Sequence, residues 1–399
     1  MTTKTFSTNA TSLHQNSTGS DVKLTVDEWN DAVAGILVPL TVILVLYLVV
    51  GCFGNLSVIY VYWCQIRTPN NERFFIPILA LVDMISCAVC AGSGVYANMH
   101  PLKFESDIGC KLVAFLGVLF ATLSADLLVI IAVDRFLKIC FPFGTQMTLY
   151  WKRVSLMAMC IVSTFIALPA LFVYGSVPVV NPVYNLTGWR CVNVVQNGRR
   201  PVWELFYKAL LFDYVMLRFI VLTIMYVRIG KVICKHFKRH ANRGQCARAS
   251  QCVSSSSTQL NNEVSAVYGN KGSSFGFLEK YCCKKRSLNR AASEFDSVRK
   301  GRDSVHAHRT DRKGLRLTFV FMLITGIYIL TFGPKVVLMT FETMNERFWT
   351  TMTSGELVGF RFLYTLFIVN NVVNPFIYGF LDDYFRKELG KLCVLPHNR

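Results

Sequence analysis

Residues 34–63 read AGILVPLTVILVLYLVVGCFGNLSVIYVYW, a largely apolar run without a charged side chain. A helix needs about 20 such residues to cross the ~30 Å hydrocarbon core of a bilayer, where its backbone groups must hydrogen-bond to one another. The rest of the chain shares this character, because 53% of all residues are hydrophobic and only 17% are charged. The sequence therefore predicts an integral membrane protein.

Six further apolar runs of spanning length follow the first. They cover Phe74–Tyr96, Leu112–Ile139, Val154–Val179, Trp203–Ile233, Leu315–Phe341 and Leu357–Phe380. We therefore predict an all-α bundle of seven transmembrane helices. After the seventh run, residues 383–389 alternate apolar and charged side chains at helical spacing, which predicts a short amphipathic helix on the membrane surface.

Positive charge is concentrated in one connection of the chain. Residues 231–316 contain nineteen Lys and Arg against six Asp and Glu, which is +13 of the total +18. Basic connections favour the cytoplasmic side, so we predict that this one lies inside, the N-terminus outside and the C-terminus in the cytoplasm. The cytoplasmic position of this loop, close to membrane lipids, then accounts for the positive net charge of the chain, and no nucleic-acid partner is expected.

The chain is predicted to have five parts. They are an extracellular N-terminus at 1–33, helices one to five with their loops at 34–240, a disordered third cytoplasmic loop at 241–311, helices six and seven at 312–380, and a cytoplasmic amphipathic helix and tail at 381–399. The third loop mixes serine, asparagine, glycine and basic residues without an apolar period, so it lacks the apolar surface that ordering requires.

Three sequons and one cysteine are candidate modification sites. Asn9, Asn16 and Asn185 each begin an Asn-X-Ser/Thr motif in a segment predicted to face outward, so we expect glycosylation there. Cys393 follows the seventh span and is a candidate for palmitoylation, although an unmodified thiol fits equally well.

Polar side chains inside the membrane are functional candidates, because a charge near the bilayer centre costs about 2.5 to 3.5 kcal/mol. Six such residues occur in four of the spans, and they are Asn55, Asp83, Ser124, Asn370, Asn371 and Asn374. A carboxylate among amides and a hydroxyl suits a small cation such as sodium, with Asp83 and Ser124 as ligands, or ordered water. Hydrogen bonds that only hold helices together remain the alternative. No other cofactor is expected.

Short motifs occur in every span except the fourth. They are Gly54-Asn55, LALVD at 79–83, Cys110, Asp134-Arg135-Phe136, Tyr226, Pro334 and NPFIY at 374–378. In this order and spacing the chain resembles the rhodopsin-like (class A) G-protein-coupled receptors, and we expect a peptide-type member. The resemblance covers the chain except its ends and the long basic loop.

The resemblance implies roles for particular residues. It assigns Asp83, Ser124, Asn370 and Asn374 to the family's sodium and water site, and it pairs Cys110 with Cys191 in a disulfide. It also implies a coupling switch at the inner face, formed by Asp134, Arg135, Tyr226 and Tyr378, which meets a heterotrimeric G protein. Receptor kinases and arrestin are further expected partners. Because Gly314 stands where some members keep an acid, we expect the resting lock on Arg135 to depend on Asp134 alone.

The chain departs from the family in span five, where Arg218 stands at the position of a proline. A lone arginine there would be very costly. Asp126 lies two positions after Ser124, so helical geometry turns it about 200° away from that residue, toward spans four and five. We predict an intramembrane ion pair between Asp126 and Arg218, with Asp213 as a rival partner for the arginine.

The predicted ligand pocket is cationic. Its candidate residues are Gly117, Ala121, Phe332, Lys335, Met339, Arg361 and Tyr364. Gly117 stands where amine receptors of the family keep an aspartate, and span seven lacks the lysine that opsins use for retinal. Lys335 and Arg361 indicate a ligand with an anionic group, although Lys335 could instead snorkel outward. We predict a neuropeptide under a hairpin lid near Val192, with a lipid or small carboxylate metabolite as the alternative.

Two other classes of membrane protein fit less well. An enzyme would need a catalytic constellation, and the sequence has no HExxH or GxSxG motif, so no enzymatic activity is expected. A non-signalling transporter would show broken or duplicated spans, which the chain lacks. The prediction is a multi-pass receptor of the plasma membrane.

Overall fold

A computed structural model describes residues 24–64, 73–194, 201–259, 297–345, 348–350 and 352–393. Within that part of the chain, seven helices are long and apolar enough to cross a membrane. The helices are α1 at Val26–Ile59, α2 at Phe75–Met99, α3 at Asp107–Cys140, α4 at Leu149–Ala167, α5 at Val202–Gln259, α6 at Ser297–Met344, α7 at Ser354–Leu381 and α8 at Asp383–Cys393. The predicted all-α bundle of seven spans, followed by a short helix, is confirmed.

Helix α1 begins eight residues before the predicted start of the first span. A capping box explains the new start, because the Thr25 hydroxyl accepts from the Glu28 N–H and the Glu28 carboxylate accepts from the Thr25 N–H. The added turns are amphipathic, and their Trp29 and Val33 pack on Leu102 in the α2–α3 connection. The extension therefore forms a small apolar cluster beyond the span itself.

The fourth span is shorter than predicted, and a β-hairpin follows it. Strands β1 at Tyr174–Asn181 and β2 at Leu186–Asn193 pair antiparallel, with Tyr174 opposite Asn193. The predicted end of the span at Val179 is wrong. Pro169 lacks the N–H that would continue α4, one further helical turn covers Ala170–Val173, and alternating valines then favour a strand. The predicted hairpin near Val192 is present, and Asn185 lies exposed at its turn with a φ of 49°.

The hairpin is fastened to the bundle at two places. Cys110 at the start of α3 is bonded to Cys191 in β2, with their Cα atoms 5.4 Å apart, so the predicted disulfide is confirmed. Trp189 also donates its N–H to the Leu102 carbonyl at 2.7 Å, and the Phe104 N–H donates to the Trp189 carbonyl at 3.0 Å. We call this end of the bundle the hairpin end and the opposite one the α8 end.

Part of the third loop is helical where the sequence predicts disorder. Helix α5 continues to Gln259, and α6 begins at Ser297. Residues 241–259 contain one glycine and no proline, so nothing breaks a helix that enters from the membrane. Asn9, Asn16, residues 260–296 and the side chain of Cys393 lie outside the described residues.

Candidate functional site

A polar core lies at mid-depth between α2, α3 and α7. Its centre is Asp83, which is fully buried. The Ser124 hydroxyl donates to one carboxylate oxygen at 2.7 Å, and the Asn374 amide donates to the other at 2.5 Å. The structure thus brings together three side chains that the sequence places on three different spans.

Asn371 extends the polar core toward a residue that the sequence analysis missed. Its amide nitrogen donates to the hydroxyl of Ser86 at 2.6 Å, and its amide oxygen accepts from Asn370 at 3.3 Å. Ser86 lies three residues after Asp83, on the same face of α2, which is the signal that could have found it. The polar core therefore comprises Ser86 in addition to the six predicted residues.

Close contact between α1 and α7 positions Asn55. A Cβ on Gly54 would lie 3.0 Å from the Pro375 ring, so only glycine allows this approach without displacement. Pro375 has no N–H to offer the carbonyl of Asn371, one turn earlier. Asn55 donates to that carbonyl instead, at 2.8 Å, so a side chain replaces the missing helical hydrogen bond.

Three amide oxygens of the polar core remain without a donor. Among the described residues, Oδ1 of Asn55, of Asn370 and of Asn374 accepts no hydrogen bond although each is buried. Buried acceptors are normally satisfied, by protein, water or an ion. Neutral oxygens beside the Asp83 carboxylate are the ligands that sodium and water prefer, so the donor set fits either one.

A second buried carboxylate, Asp134, organises the α8 end. Arg135 lies 3.0 Å from its Oδ2, Lys138 lies 2.9 Å from the same oxygen, and Lys152 lies 3.3 Å from Oδ1. We call these four residues the inner cluster. The acid is therefore shared among three cations, whereas the sequence analysis considered only its contact with Arg135.

Lys152 is the functional candidate that the sequence analysis missed most clearly. It is 0% exposed, and its ammonium lies 5.1 Å from the ring centre of Phe75 and 5.8 Å from that of Phe74. Helix α4 begins after Thr148, which caps it, whereas the predicted span begins at Val154 and leaves Lys152 outside. A lysine one turn inside a capped apolar helix needs a partner, and that requirement was the available signal.

The other predicted switch residues are also buried near the α8 end. The Arg135 guanidinium lies 5.5 Å from the ring centre of Phe321 in α6. Tyr226 in α5 is buried, and Tyr378 in α7 packs against Phe385 of α8 with ring centres 6.4 Å apart. The predicted switch residues thus come from three helices, and Tyr378 connects them to α8.

Helix α8 is attached through two aspartates. Asp382, buried between α7 and α8, accepts from the Tyr62 hydroxyl at 2.7 Å. The exposed Asp383 accepts from Arg316 of α6 and from Arg386, and these hydrogen bonds lower the pKa of the Asp383 carboxyl. The position of α8 therefore depends on contacts with Tyr62, which follows α1, and with Arg316 of α6.

A group of charged and polar side chains joins α3, α4 and α5 at the face of α3 that points away from the polar core. Nη1 of Arg218 lies 3.5 Å from Oδ1 of Asp126, and both residues are buried, at 5% and 9% exposure. Ser163 of α4 donates to Asp126 at 2.7 Å, and the Tyr214 hydroxyl donates at 3.0 Å. Asp213, the rival partner, is exposed. We call Asp126, Ser163, Tyr214 and Arg218 the ion-pair network.

Lys335 lies on aromatic rings toward the hairpin end. Its ammonium is 3.5 Å from the ring centre of Phe367, 5.2 Å from that of Tyr364 and 5.7 Å from that of Phe332. Since these rings belong to α6 and α7, the lysine points into the bundle rather than snorkelling outward. Aromatic faces stabilise a cation while leaving its N–H groups able to donate.

The remaining predicted pocket residues surround this lysine less closely. Nη1 of Arg361 donates to the Asn98 side chain at 3.4 Å, which connects α7 to α2. Ala121 packs against the same apolar cluster as Phe332, and a Cβ on Gly117 would meet no atom within 4 Å. Met339, one turn beyond Lys335 on α6, is half-buried.

An acid–base cluster at the hairpin end has no counterpart in the sequence analysis. Lys208 lies 2.9 Å from Glu204, one turn away on α5, and 3.9 Å from Glu342 on α6. Asn193 of β2 donates to Glu342 at 3.4 Å. Burial, with smaller effects from neighbouring tyrosine and glutamate side chains, raises the pKa of the Tyr174 phenol in β1. The hairpin thus contacts α6 at this cluster, through Asn193.

Comparisons with known proteins agree with this architecture. Residues 54–378 match the model of the 7 transmembrane receptor (rhodopsin family). Neuropeptide Y receptor type 4 of Mus musculus is 22% identical over 369 residues, which cover 88% of this chain and 78% of that protein. Melanopsin-A of Danio rerio is 37% identical over 110 residues, but these cover only 27% of this chain and 18% of melanopsin-A. Squid rhodopsin shares the fold, with a TM-score of 0.59, 15% identity and coverage of 90% of this chain and 85% of its own.

The ion-pair network predicts a charge-swap rescue. Asp126→Ala leaves the buried Arg218 guanidinium without its counter-charge. We therefore expect the free energy of unfolding to fall by about 3 to 5 kcal/mol, with a lower melting temperature of the purified protein. The double change Asp126→Arg with Arg218→Asp should recover part of that loss, whereas Asp213→Ala at the exposed acid should change little. A double variant no more stable than Asp126→Ala would show that the pairing is not what stabilises these helices.

The inner cluster predicts an asymmetry between its acid and its cations. Asp134→Asn leaves three cations without their shared counter-charge and should lower the melting temperature strongly, whereas Lys152→Met leaves the acid two cationic partners and should cost far less. Combining the two changes should recover stability relative to Asp134→Asn alone. Equal melting temperatures for the two single variants would contradict the shared-acid description.

Proposed function

Because this chain belongs to the rhodopsin family of seven-transmembrane receptors, we propose that it binds a ligand at its hairpin end and activates a heterotrimeric G protein at its α8 end. The hairpin end then faces the cell exterior, and the receptor resides in the plasma membrane. The α8 end, where the inner cluster lies, would meet the G protein, and receptor kinases and arrestin would act there as well. Family membership is the single observation that carries this proposal.

The chemistry of the pocket supports a ligand with an acidic group. The Lys335 ammonium lies against three aromatic rings of α6 and α7. A carboxylate or sulfate placed beside it would form a charge-assisted hydrogen bond, which is stronger than a neutral one. Arg361, toward the start of α7, adds a second cation for the same group or for a neighbouring one.

A neuropeptide is the preferred chemical class of this ligand. The similarity to a neuropeptide Y receptor extends over most of the chain. The hairpin and the Glu204–Lys208–Glu342 cluster add charges of both signs at the hairpin end, and these suit a chain of varied side chains better than a small metabolite. A lipid or small carboxylate would engage Lys335 but would leave this outer cluster unused.

We also propose that the polar core binds a sodium ion. Asp83 and Ser124 would hold it, with the amide oxygens that accept no hydrogen bond as further ligands. The ion would supply a counter-charge for a carboxylate that is otherwise buried among neutral groups. No enzymatic role is assigned to this site.

Agonist screening tests the proposed function and its ligand class together. Cells expressing the receptor should respond to some members of a peptide library with G-protein activation, and Lys335→Gln should raise the half-maximal agonist concentration by about 10- to 100-fold, since a hydrogen bond to a charged group contributes about 1.5 to 3 kcal/mol. Lys111→Gln, at an exposed lysine on α3, is the matched control and should leave potency unchanged.

Three results would count against the proposal in different ways. A potent agonist that is cationic and indifferent to Lys335→Gln contradicts the acidic ligand but not the receptor role. Agonists found only among lipids or small carboxylates contradict the peptide class. Uptake of a solute without G-protein activation would indicate a transporter and overturn the function itself.

Sodium binding predicts a cation-specific stabilisation. The melting temperature of the purified wild-type protein should be higher in sodium chloride than in potassium chloride at equal concentration. Sodium at ten times its dissociation constant should raise the free energy of unfolding by about 1.4 kcal/mol. Asp83→Asn should abolish this difference, while Asp213→Asn at an exposed position should preserve it. If wild type and Asp83→Asn respond equally to the two salts, sodium binding at Asp83 is contradicted. The hydrogen bonds of the polar core would then only hold the helices together.

A further inference from the structure

Asp213 of α5 is an exposed charge at membrane depth. Trp203 and Arg228, which are also exposed, lie toward the two ends of the apolar part of this helix, and residues of these types favour the membrane interfaces. At about 1.5 Å per residue, Asp213 lies about 15 Å from Trp203 and about 22 Å from Arg228 along the helix axis. Its carboxylate is therefore well inside the ~30 Å hydrocarbon core.

No group in the described part of the chain neutralises this acid, since Asp213 has neither an ion pair nor a hydrogen bond there. The nearest cations of α5, Lys208 and Arg218, each lie five residues away, which turns them about 140° from Asp213 around the helix. Both face into the bundle, where Lys208 contacts Glu204 and Arg218 contacts Asp126. The charge of Asp213 therefore faces outward alone.

This exposure is exceptional within the molecule. Among the residues that the structure describes, no other charged side chain is exposed so far from both ends of a span. Ionisable residues inside a membrane almost always face the interior of a bundle or a water-filled cavity, because an ionised group in contact with acyl chains is costly. An outward-facing acid at this depth calls for a cation from another molecule.

Asp213 lies in the middle of an exposed stripe that has the spacing of a helix-pairing seam. The stripe follows positions 206, 210, 213, 217, 220, 224 and 227, in alternating steps of four and three residues. Its other members are exposed apolar side chains, and they are Phe206, Leu210, Leu217, Ile220, Ile224 and Val227. A mean spacing of 3.5 residues is the one at which two helices pack side by side in a left-handed pair, the commonest arrangement in membranes.

The acid distinguishes this stripe from a face that only lipid covers. Apolar side chains alone would suit acyl chains as well as a protein, and the spacing by itself does not separate the two. A single polar residue in an otherwise apolar seam weakens nonspecific pairing and fixes the register and the choice of partner. We call the seven positions the α5 seam.

Charge decides against a second copy of this chain as the occupant of the α5 seam. Two copies in one membrane have the same orientation, so a twofold pairing through the seam would place Asp213 opposite Asp213 at one depth. Like charges repel strongly where water is excluded. A helix that carries a basic residue at this depth would instead provide the missing counter-charge.

We propose that the α5 seam docks a transmembrane helix of another membrane protein, and that a lysine or arginine of that helix pairs with Asp213. Apolar residues of the partner would pack on the seam on both sides of the ion pair and exclude lipid from it. The long stem of a basic side chain lets its charge reach Asp213 while the stem contacts apolar residues. The inference goes beyond the proposed function, because docking requires neither the ligand nor the G protein.

A synthetic transmembrane peptide tests the proposal. The probe is a helix of about 20 leucine and alanine residues with one central lysine, and its matched control has leucine in place of the lysine. Purified full-length receptor with a donor fluorophore is reconstituted in phosphatidylcholine vesicles, and energy transfer to acceptor-labelled peptide is measured against the peptide-to-lipid ratio. Half-maximal transfer should need about three- to thirtyfold less lysine peptide than leucine peptide, the factor expected for a polar contact between membrane helices.

Two receptor variants locate the contact. Asp213→Leu, a change that lipid tolerates at an exposed position, should bind both peptides equally. Glu105→Leu removes an exposed acid from the α2–α3 connection and should keep the preference for the lysine peptide. Asp213→Lys should reverse the preference, so that a peptide with a central glutamate binds better than the lysine peptide.

Three results would overturn the proposal. Equal transfer to the two peptides in the wild type would show that lipid alone covers the α5 seam. A preference for lysine that survives in Asp213→Leu would place the contact elsewhere. Energy transfer between receptors without peptide that is lost in Asp213→Leu would identify a second copy as the occupant. Because no G protein is present, a failure of the proposed function would appear in agonist screening and not in this measurement.

Discussion

Hydrocarbon offers no hydrogen bonds, so every polar group of a membrane-spanning chain must find its partner within the protein. The backbone meets this requirement by forming helices. Where proline removes a backbone donor, a side chain takes over, as Asn55 does for the Asn371 carbonyl beside Pro375. The same requirement applies to each buried side chain. Asp126 and Asp134 meet it with cations, Asp83 with neutral donors and Lys335 with aromatic rings.

Three groups of this kind lie at different depths, and they differ in how completely their polar atoms are satisfied. Asp83 has a donor on each oxygen, and Asp134 has three cations around it. The ion-pair network satisfies its acid but not its arginine. The polar core is not fully satisfied either, because three of its amide oxygens accept no hydrogen bond among the described residues.

The departures from the common family pattern are connected in space. Arg218 stands at the position where the family has a proline, and Asp126 of α3 supplies its counter-charge. A single polar substitution in this part of the bundle would leave a buried charge, so these residues are interdependent. At the α8 end, Lys152 of α4 adds a third cation beside the Asp134 carboxylate, so Arg135 shares its acid with two lysines.

Properties that depend on neighbours along the chain could be predicted before the structure was known. The seven spans follow from run lengths, and the Asp126–Arg218 pairing follows from the angle between Ser124 and Asp126 on one helix. Properties that depend on which helices meet could not. Four residues look ordinary in the sequence because their partners are distant in it: Lys152, Ser86, Ser163 and Tyr214. The partner of Lys152 is 18 positions away, and that of Ser86 is 285 positions away. Hydrogen bonds and ion pairs act over a few ångströms of space, and only the packing of the helices sets those distances.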